Sequence, residues 1–167
     1  MTTESNGSPR VGIVVGSRSD IAAAERAMAV LDELGVDSEI RVISAHRAPD
    51  LLSRFVAGAE ARGIRVFIAV AGLAAHLPGV VASQTTRPVI GVPMAGGVSD
   101  GLDALLAIVQ MPKGVPVATV GVGNGENAGL LAAAILAVGD PDLRARLESR
   151  RASQAAAIAA DPANEGL

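Results

Sequence analysis

Short apolar segments that alternate with segments of helical periodicity constrain the fold of this chain more than any other feature. The first apolar segment, residues 11–15, ends at Gly16-Ser17, and residues 21–34 then show apolar positions at helical spacing, closed by Gly35. The pattern predicts further strands at residues 39–43, 66–70, 89–92 and 117–120, and further helices at 49–62, from Pro78, at 102–109, at 127–138 and at 141–160. Strands that are apolar throughout are typical of a parallel sheet covered on both faces. We therefore predict an α/β fold, a three-layer sandwich with a parallel central sheet of the flavodoxin-like kind.

The composition is that of one globular domain. Half of the 167 residues are apolar, which is enough for a core without disulfides or metals. Residues 1–9 have no basic start, no apolar stretch and no cleavage-site pattern, so we expect a short disordered lead before a single domain at residues 10–167 with a C-terminal helix. The absence of cysteine excludes disulfides, thiolate metal sites and cysteine nucleophiles, and it fits a reducing compartment. We expect a cytoplasmic protein.

Charge and side-chain size indicate which partners the chain can have. A net charge of −3 and a total of two Phe argue against a nucleic-acid surface, which would present clustered Lys and Arg with aromatic side chains. Each apolar run is shorter than ten residues, so we predict no membrane span. The apolar residues are almost all Ala, Val, Leu and Ile, whose close packing often continues into subunit interfaces. We therefore expect a homo-oligomer.

Polar residues follow the predicted strands, where the binding crevice of a parallel sheet lies. After the first strand come Ser17, Ser19 and Asp20, with two hydroxyls and backbone N–H groups at the start of a helix. This arrangement suits a phosphate, although helix capping alone also favours Ser and Asp. The segment has neither the Gly-x-Gly-x-x-Gly fingerprint nor a Walker lysine, which argues against dinucleotide or ATP binding. The glycine-rich residues 121–127 also miss that spacing, and we interpret them as a turn.

The two histidines of the chain follow the second and third predicted strands. His46 stands beside Arg47, which can pair with phosphate or carboxylate through two N–H groups, and histidine exchanges protons near neutral pH. An exposed His beside an Arg with no function remains an alternative. His76 lies in a loop of small residues before Pro78, where it could also cap the helix or fill a subunit contact. Two histidines without cysteine, or a carboxylate at ligand spacing, make a poor zinc site, so we predict no metal.

Taken together, the loop motifs resemble those of the PurE family over about residues 11–136. The motifs are GSRSD at 16–20, SAHRAPD at 44–50, AAHLPG at 74–79, PVIGVP at 88–93, GLDALLAIVQMPKGVPVATV at 101–120 and NAGLLAAAIL at 127–136. The SAHR form is similar to class I of the family, the N5-carboxyaminoimidazole ribonucleotide mutases, whereas the directly carboxylating class II typically has Lys at the position of Arg47. The resemblance implies a flavodoxin-like subunit, a homo-octamer, a nucleotide substrate and a reaction without ATP, metal, biotin or other cofactor.

The resemblance also implies roles for individual residues. In the family's reaction, a carbamate on the nucleotide loses carbon dioxide into a closed pocket, and carbon 4 of the aminoimidazole then attacks it. His46 would protonate the departing nitrogen and later take the proton from carbon 4. The implied substrate-binding residues are Ser17, Ser19 and Arg47 for the phosphate, Asp20 for the ribose hydroxyls, and Ser44, Gly72, Leu73 and Ala74 for the base and carbon dioxide, with His76 near the site.

Four positions depart from the family's pattern. The family commonly has Trp or another large residue at Ile21, Thr at Ala48, and Gly at both Val70 and Leu73. A side chain at Leu73 could narrow the pocket or change which base fits. Two alternatives therefore stay open, a PurE-like carboxylase acting on a different nucleotide and a non-catalytic nucleotide-binding module that uses the same phosphate loops.

Overall fold

A five-stranded parallel sheet forms the centre of the computed structural model, which describes residues 9–166. The strands are β1 (Val11–Val15), β2 (Ser38–Val42), β3 (Val66–Ala71), β4 (Val89–Pro93) and β5 (Ala118–Thr119), in the spatial order β2-β1-β3-β4-β5. Val11 of β1 is in register with Ser38 on one side and with Val66 on the other. This order is the flavodoxin-like one, and it confirms the predicted fold class. The disordered lead expected at residues 1–9 falls outside the described residues, apart from Pro9.

Helices cover both faces of the sheet. The helices are α1 (Ile21–Glu33), α2 (Pro49–Ala59), α3 (Leu77–Ala82), α4 (Leu102–Val109), α5 (Gly125–Ala137) and α6 (Pro141–Ala159), with short 3₁₀ helices at Arg18–Asp20 and Pro162–Asn164. One core cluster joins α1 and α5 to the sheet, and a second joins α2, α3 and α4 to the opposite face. α6 packs on the outside of α5, with Leu143 as its buried anchor. Among residues 9–166, none of the helices combines the length and apolar character needed to cross a bilayer.

Bare glycines bring α1 and α5 close together. A Cβ built on Gly129 would lie 2.6 Å from the carbonyl oxygen of Ala27, and one built on Gly125 would collide with the backbone of Ala23. Positions four residues apart share one face of a helix, so the glycine pair of α5 fits against the alanine pair of α1. This contact fixes the start of α1, and with it the loop that follows β1.

The edge strands differ from the prediction. β2 was expected to be apolar throughout, but it lies at one edge of the sheet, and its residues are half-buried or exposed. Its sequence, Ser-Glu-Ile-Arg-Val, reflects that position, because an edge strand is open to water. β5, at the other edge, pairs over two residues instead of the predicted four. Pro116, which lacks a backbone N–H, lies just before this short strand.

Candidate active site

A cavity of about 680 Å³ opens at the carboxyl ends of β1 to β4, where the strand order reverses between β1 and β3. All of the predicted site residues line it: Ser17, Ser19, Asp20, Ser44, His46, Arg47, Gly72, Leu73, Ala74 and His76. The loop after β4 adds Met94 and Ala95, which the sequence analysis missed. Their place directly after a strand of the same parallel sheet was the signal that could have found them.

The loop after β1 is compact and polar. The Ser17 side chain accepts a hydrogen bond from the Ser19 backbone N–H (3.4 Å), which caps the 3₁₀ helix, and the Ser19 hydroxyl donates to Asp20 (3.0 Å). Ser17 therefore caps a helix, and both serines also line the cavity. Because α1 begins directly afterwards, its first backbone N–H groups and the positive end of its dipole lie next to these hydroxyls.

The loop after β2 places a cation beside that turn. The Arg47 backbone N–H donates to the Ser44 hydroxyl (3.3 Å), and the Arg47 guanidinium donates to the carbonyl oxygen of Gly16 (3.1 Å). Pro49 then starts α2. A guanidinium has five N–H donors in a planar fork, so the bond to Gly16 leaves others for a ligand. The hydroxyls of the first loop and the positive charge of the second therefore lie together at one polar end of the cavity.

The two histidines meet at the cavity wall. Nε2 of His46 lies 2.8 Å from Nδ1 of His76, and the two rings stand edge-on at 88°. One of the two facing nitrogens donates and the other accepts, so a single proton lies between them. The contact orients the His46 ring and leaves its second nitrogen for other partners. Spacing along the sequence did not predict this contact.

The loop after β3 approaches the loop after β4 through small residues. A Cβ on Gly72 would lie 3.3 Å from Cβ of Met94, so the bare backbone permits a tight fit. Leu73 has a φ of 55°, in the left-handed region that glycine favours, and the residue is 63% exposed. Ala74 and Ala75 follow, and the His76 backbone N–H donates to the carbonyl of Ala74 (2.7 Å). This end of the cavity is apolar, in contrast to the polar end formed by the loops after β1 and β2.

The cavity is open to solvent on one side. His46, Arg47, Leu73 and His76 are all exposed in the single chain. A single subunit, over the residues that the structure describes, therefore does not form the closed pocket that the resemblance implied. Among residues 9–166, no group of three or more His, Cys, Asp or Glu side chains is arranged to hold a metal ion.

Comparison with known proteins gives the family. The family model for AIR carboxylase matches residues 10–157. An N5-carboxyaminoimidazole ribonucleotide mutase of Thermotoga maritima is 53% identical over 84% of this chain and 82% of its own length. A phosphoribosylaminoimidazole carboxylase of Schizosaccharomyces pombe is 54% identical over 85% of this chain, which spans 26% of that longer protein.

Solved structures agree with this match. The crystal structure of Treponema denticola PurE superposes with a TM-score of 0.86 at 29% identity, over 95% of this chain and 99% of that one. The resemblance to PurE that the loop motifs indicated is therefore confirmed. The chain belongs to the AIR carboxylase family.

Proposed function

We propose that the protein is an N5-carboxyaminoimidazole ribonucleotide mutase, an isomerase of purine biosynthesis that forms 4-carboxy-5-aminoimidazole ribonucleotide. One observation carries the proposal: a single cavity has an anion-binding end at Ser17, Ser19 and Arg47 and a histidine pair in its wall. The mutase of Thermotoga maritima, at 53% identity, supports this choice among the reactions of the family.

The anion-binding end holds the 5′-phosphate. Arg47 provides charge and N–H donors, and the serine hydroxyls and helix N-terminus provide further hydrogen bonds. Asp20 accepts hydrogen bonds from the ribose hydroxyls, since a carboxylate has two acceptor oxygens. Ser44 and the small residues Gly72 and Ala74 face the base. With the phosphate fixed, the heterocycle reaches the histidine pair.

His46 moves one proton in each direction during the reaction. In the first half, the bond between the carbamate carbon and nitrogen breaks, its electron pair stays on the nitrogen, and His46 supplies the proton that neutralises it. Carbon dioxide is released within the cavity. In the second half, an electron pair of the ring bonds carbon 4 to carbon dioxide, and His46 takes the proton that carbon 4 loses. The balance of atoms and electrons is complete without ATP, metal or redox cofactor.

His76 contributes to the reaction through its contact with His46. The 2.8 Å contact orients the His46 imidazole and lets the pair share a proton between the two half-reactions. Because Nε2 of His46 is used in this contact, Nδ1 is the nitrogen left to exchange a proton with the substrate. This role explains why two exposed histidines from different loops meet at one point.

We also propose that the protein works as a cytoplasmic homo-octamer, as the family resemblance implies. Leu102, Leu106 and Val109 lie at helical spacing on α4 and are 51%, 47% and 47% exposed. An apolar stripe of this kind is suited to a contact with a second copy of the chain. Neighbouring subunits would also cover the open side of the cavity.

A conversion assay with His46→Asn tests the function. Wild-type protein is expected to convert N5-carboxyaminoimidazole ribonucleotide, and the variant to lose on the order of a hundredfold or more in turnover, because the proton carrier is gone. Calorimetry should show that the variant still binds the nucleotide. Near-normal turnover in the variant would identify another proton carrier. A folded wild type that binds the nucleotide without converting it would favour the non-catalytic module.

Direct carboxylation is the second candidate, because the Schizosaccharomyces pombe relative at 54% identity is named a carboxylase. Arg47 stands where the directly carboxylating class typically has Lys, which favours the mutase. The two reactions are separated by giving the protein aminoimidazole ribonucleotide with bicarbonate in place of the carbamate. Faster product formation from that mixture than from the carbamate would support the carboxylase.

A further inference from the structure

Leu73 has a backbone conformation that costs free energy, and burial does not offset this cost. Its φ of 55° lies in the left-handed region, where a residue with a Cβ is strained and glycine is not. The residue is 63% exposed, so packing in the core contributes little at this position. A bulky side chain that is held in a strained conformation in the wall of a cavity indicates a function of that side chain at the cavity.

The anion-binding end of the cavity does not distinguish one nucleotide from another. In the proposed complex, Ser17, Ser19 and Arg47 hold the phosphate and Asp20 holds the ribose hydroxyls. Every nucleoside 5′-monophosphate carries these groups, so contacts with them contribute equally to the binding of all such ligands. Selection among nucleotides must therefore come from the part of the cavity that receives the base.

The apolar end of the cavity is lined by Gly72, Leu73, Ala74, Met94 and Ala95. These residues have no N–H or O–H group in their side chains, so their side chains cannot recognise a base by donating hydrogen bonds to it. They select a base by its size and shape instead.

Two close approaches limit the size of this end. A Cβ on Gly72 would lie 3.3 Å from Cβ of Met94, and a Cβ on Gly97 would lie 3.0 Å from Cδ2 of Leu73. The tip of Leu73 therefore reaches the loop after β4, although its backbone belongs to the loop after β3. Its side chain spans the space between these two loops at the wall of the cavity.

We propose that Leu73 is a specificity-determining residue whose side chain limits the apolar end to a single imidazole ring and excludes purine nucleoside monophosphates. The inference rests on the proposed function, which places an aminoimidazole base at this end. A purine has a second ring fused to its imidazole, and that ring needs the space that the Leu73 side chain occupies. The side chain acts on selection and not on the reaction, since the family commonly has glycine at this position.

The test compares the binding of two nucleotides that differ in the base. Titration calorimetry of the full chain gives the dissociation constants of adenosine 5′-monophosphate and of aminoimidazole ribonucleotide, and the ratio of the first to the second measures selection. Glycine suits the positive φ, so Leu73→Gly is expected to fold, which its thermal midpoint checks. Leu73→Ala keeps a Cβ and the backbone strain, so it separates the size of the side chain from the freedom of the backbone.

We expect wild type to bind aminoimidazole ribonucleotide more tightly, and both truncations to lower the ratio roughly tenfold to a hundredfold, the usual effect of apolar bulk in a binding pocket. Leu73→Met keeps that bulk and should retain the wild-type ratio. Val98→Gly is the matched control, because Val98 is 96% exposed on the loop after β4 and does not line the cavity. Its ratio should equal that of wild type.

Failure of this inference and failure of the proposed function give different results. An unchanged ratio in Leu73→Gly and Leu73→Ala, or an equal fall in Val98→Gly, would overturn the role of Leu73 and leave the mutase function intact. Equally tight binding of both nucleotides by wild type would do the same. If truncation lowers the ratio but wild type does not convert the carbamate nucleotide, the mutase function is wrong and the selection by Leu73 stands. A folded wild type that binds neither nucleotide would overturn both.

Discussion

The guanidinium of Arg47 links two loops that the sequence separates by a strand and a helix. It donates to the carbonyl of Gly16 at 3.1 Å, while its own backbone N–H is held by Ser44. The side chain is thereby fixed beside the hydroxyls of Ser17 and Ser19 before any ligand arrives. Such preorganisation lowers the entropy that a bound phosphate would otherwise have to offset.

Arg47→Ala should therefore weaken the binding of phosphorylated ligands. A hydrogen bond to a charged group contributes about 1.5–3 kcal/mol, which corresponds to a rise of roughly tenfold to a hundredfold in the dissociation constant. Titration calorimetry with aminoimidazole ribonucleotide measures this, with the unphosphorylated nucleoside as the ligand control. Arg18→Ala is the matched variant, because Arg18 is exposed in the neighbouring loop but does not line the cavity. An unchanged constant in Arg47→Ala would remove Arg47 from the phosphate site.

Among the elements, the pair α1 and α5 is packed most closely. Its contact is made by backbone against backbone, since Gly125 and Gly129 lie over Ala23 and Ala27. The guanidinium of Arg26 also donates to the carbonyl of Gly123 at 2.9 Å, which ties α1 to the turn before α5. Any added atom between these helices forces them apart, because neither backbone can yield locally.

Gly129→Ala is expected to destabilise the fold by about 1–3 kcal/mol, the usual cost of overpacking a tight core contact. Its new Cβ would lie 2.6 Å from the Ala27 carbonyl oxygen. Gly139→Ala is the control, because no atom lies within 4 Å of a Cβ at that position. Urea denaturation followed by circular dichroism gives both free energies of unfolding. Equal free energies of unfolding for the two variants would mean that α1 and α5 can move apart without destabilising the fold.

At the scale of the whole molecule, one ion pair joins the beginning of the first strand to the beginning of the last helix. Arg10 donates to Asp140 at 2.9 Å, and Asp140 also caps α6 by accepting from the Leu143 backbone N–H at 3.0 Å. The Leu143 hydrogen bond, and then the Arg10 contact, hold the pKa of Asp140 below its ordinary value. The ionised form is therefore favoured in the folded state.

A lowered pKa in the folded state stabilises the protein above the pKa of the unfolded chain, and this contribution disappears as the pH falls through the folded-state pKa. Asp140→Ala should lower the thermal midpoint at pH 7, and the difference from wild type should shrink as the solution is acidified below the ordinary pKa of 3.8. Asp140→Asn keeps an oxygen that can cap α6, so its thermal midpoint should fall less than that of Asp140→Ala. A difference that is constant with pH would rule out the ionised carboxylate as its source.

Much of the site follows from the sequence because the sheet is parallel. In a parallel sheet, ligands bind beyond the carboxyl ends of the strands, and the apolar runs of the sequence give the strand positions. This rule predicted that Ser17, His46 and His76 lie close together, and all three line one cavity. The same rule applied after β4 would have included Met94.

Other features depend on three-dimensional information that spacing does not contain. The contact between His46 and His76 is set by ring orientation, which no periodicity specifies. The exposure of β2 follows from its place at the edge of the sheet. That place could not be predicted, because no local sequence pattern specifies the order of the strands. Leu73 has a left-handed backbone conformation, which leucine rarely adopts and glycine favours. The residue type at position 73 therefore gave no indication of this conformation.

The tight seating of α1 on α5 has a consequence for how this scaffold can change. The proposed phosphate site lies at the start of α1, which packs tightly on α5, whereas the loop after β4, which adds Met94 and Ala95 to the cavity, is exposed at residues 95–100. Substitutions in that exposed loop should therefore change the cavity without disturbing the packing behind the proposed phosphate site. A designer who wishes to change the chemistry of this protein should vary the loop after β4 and keep the contact between α1 and α5.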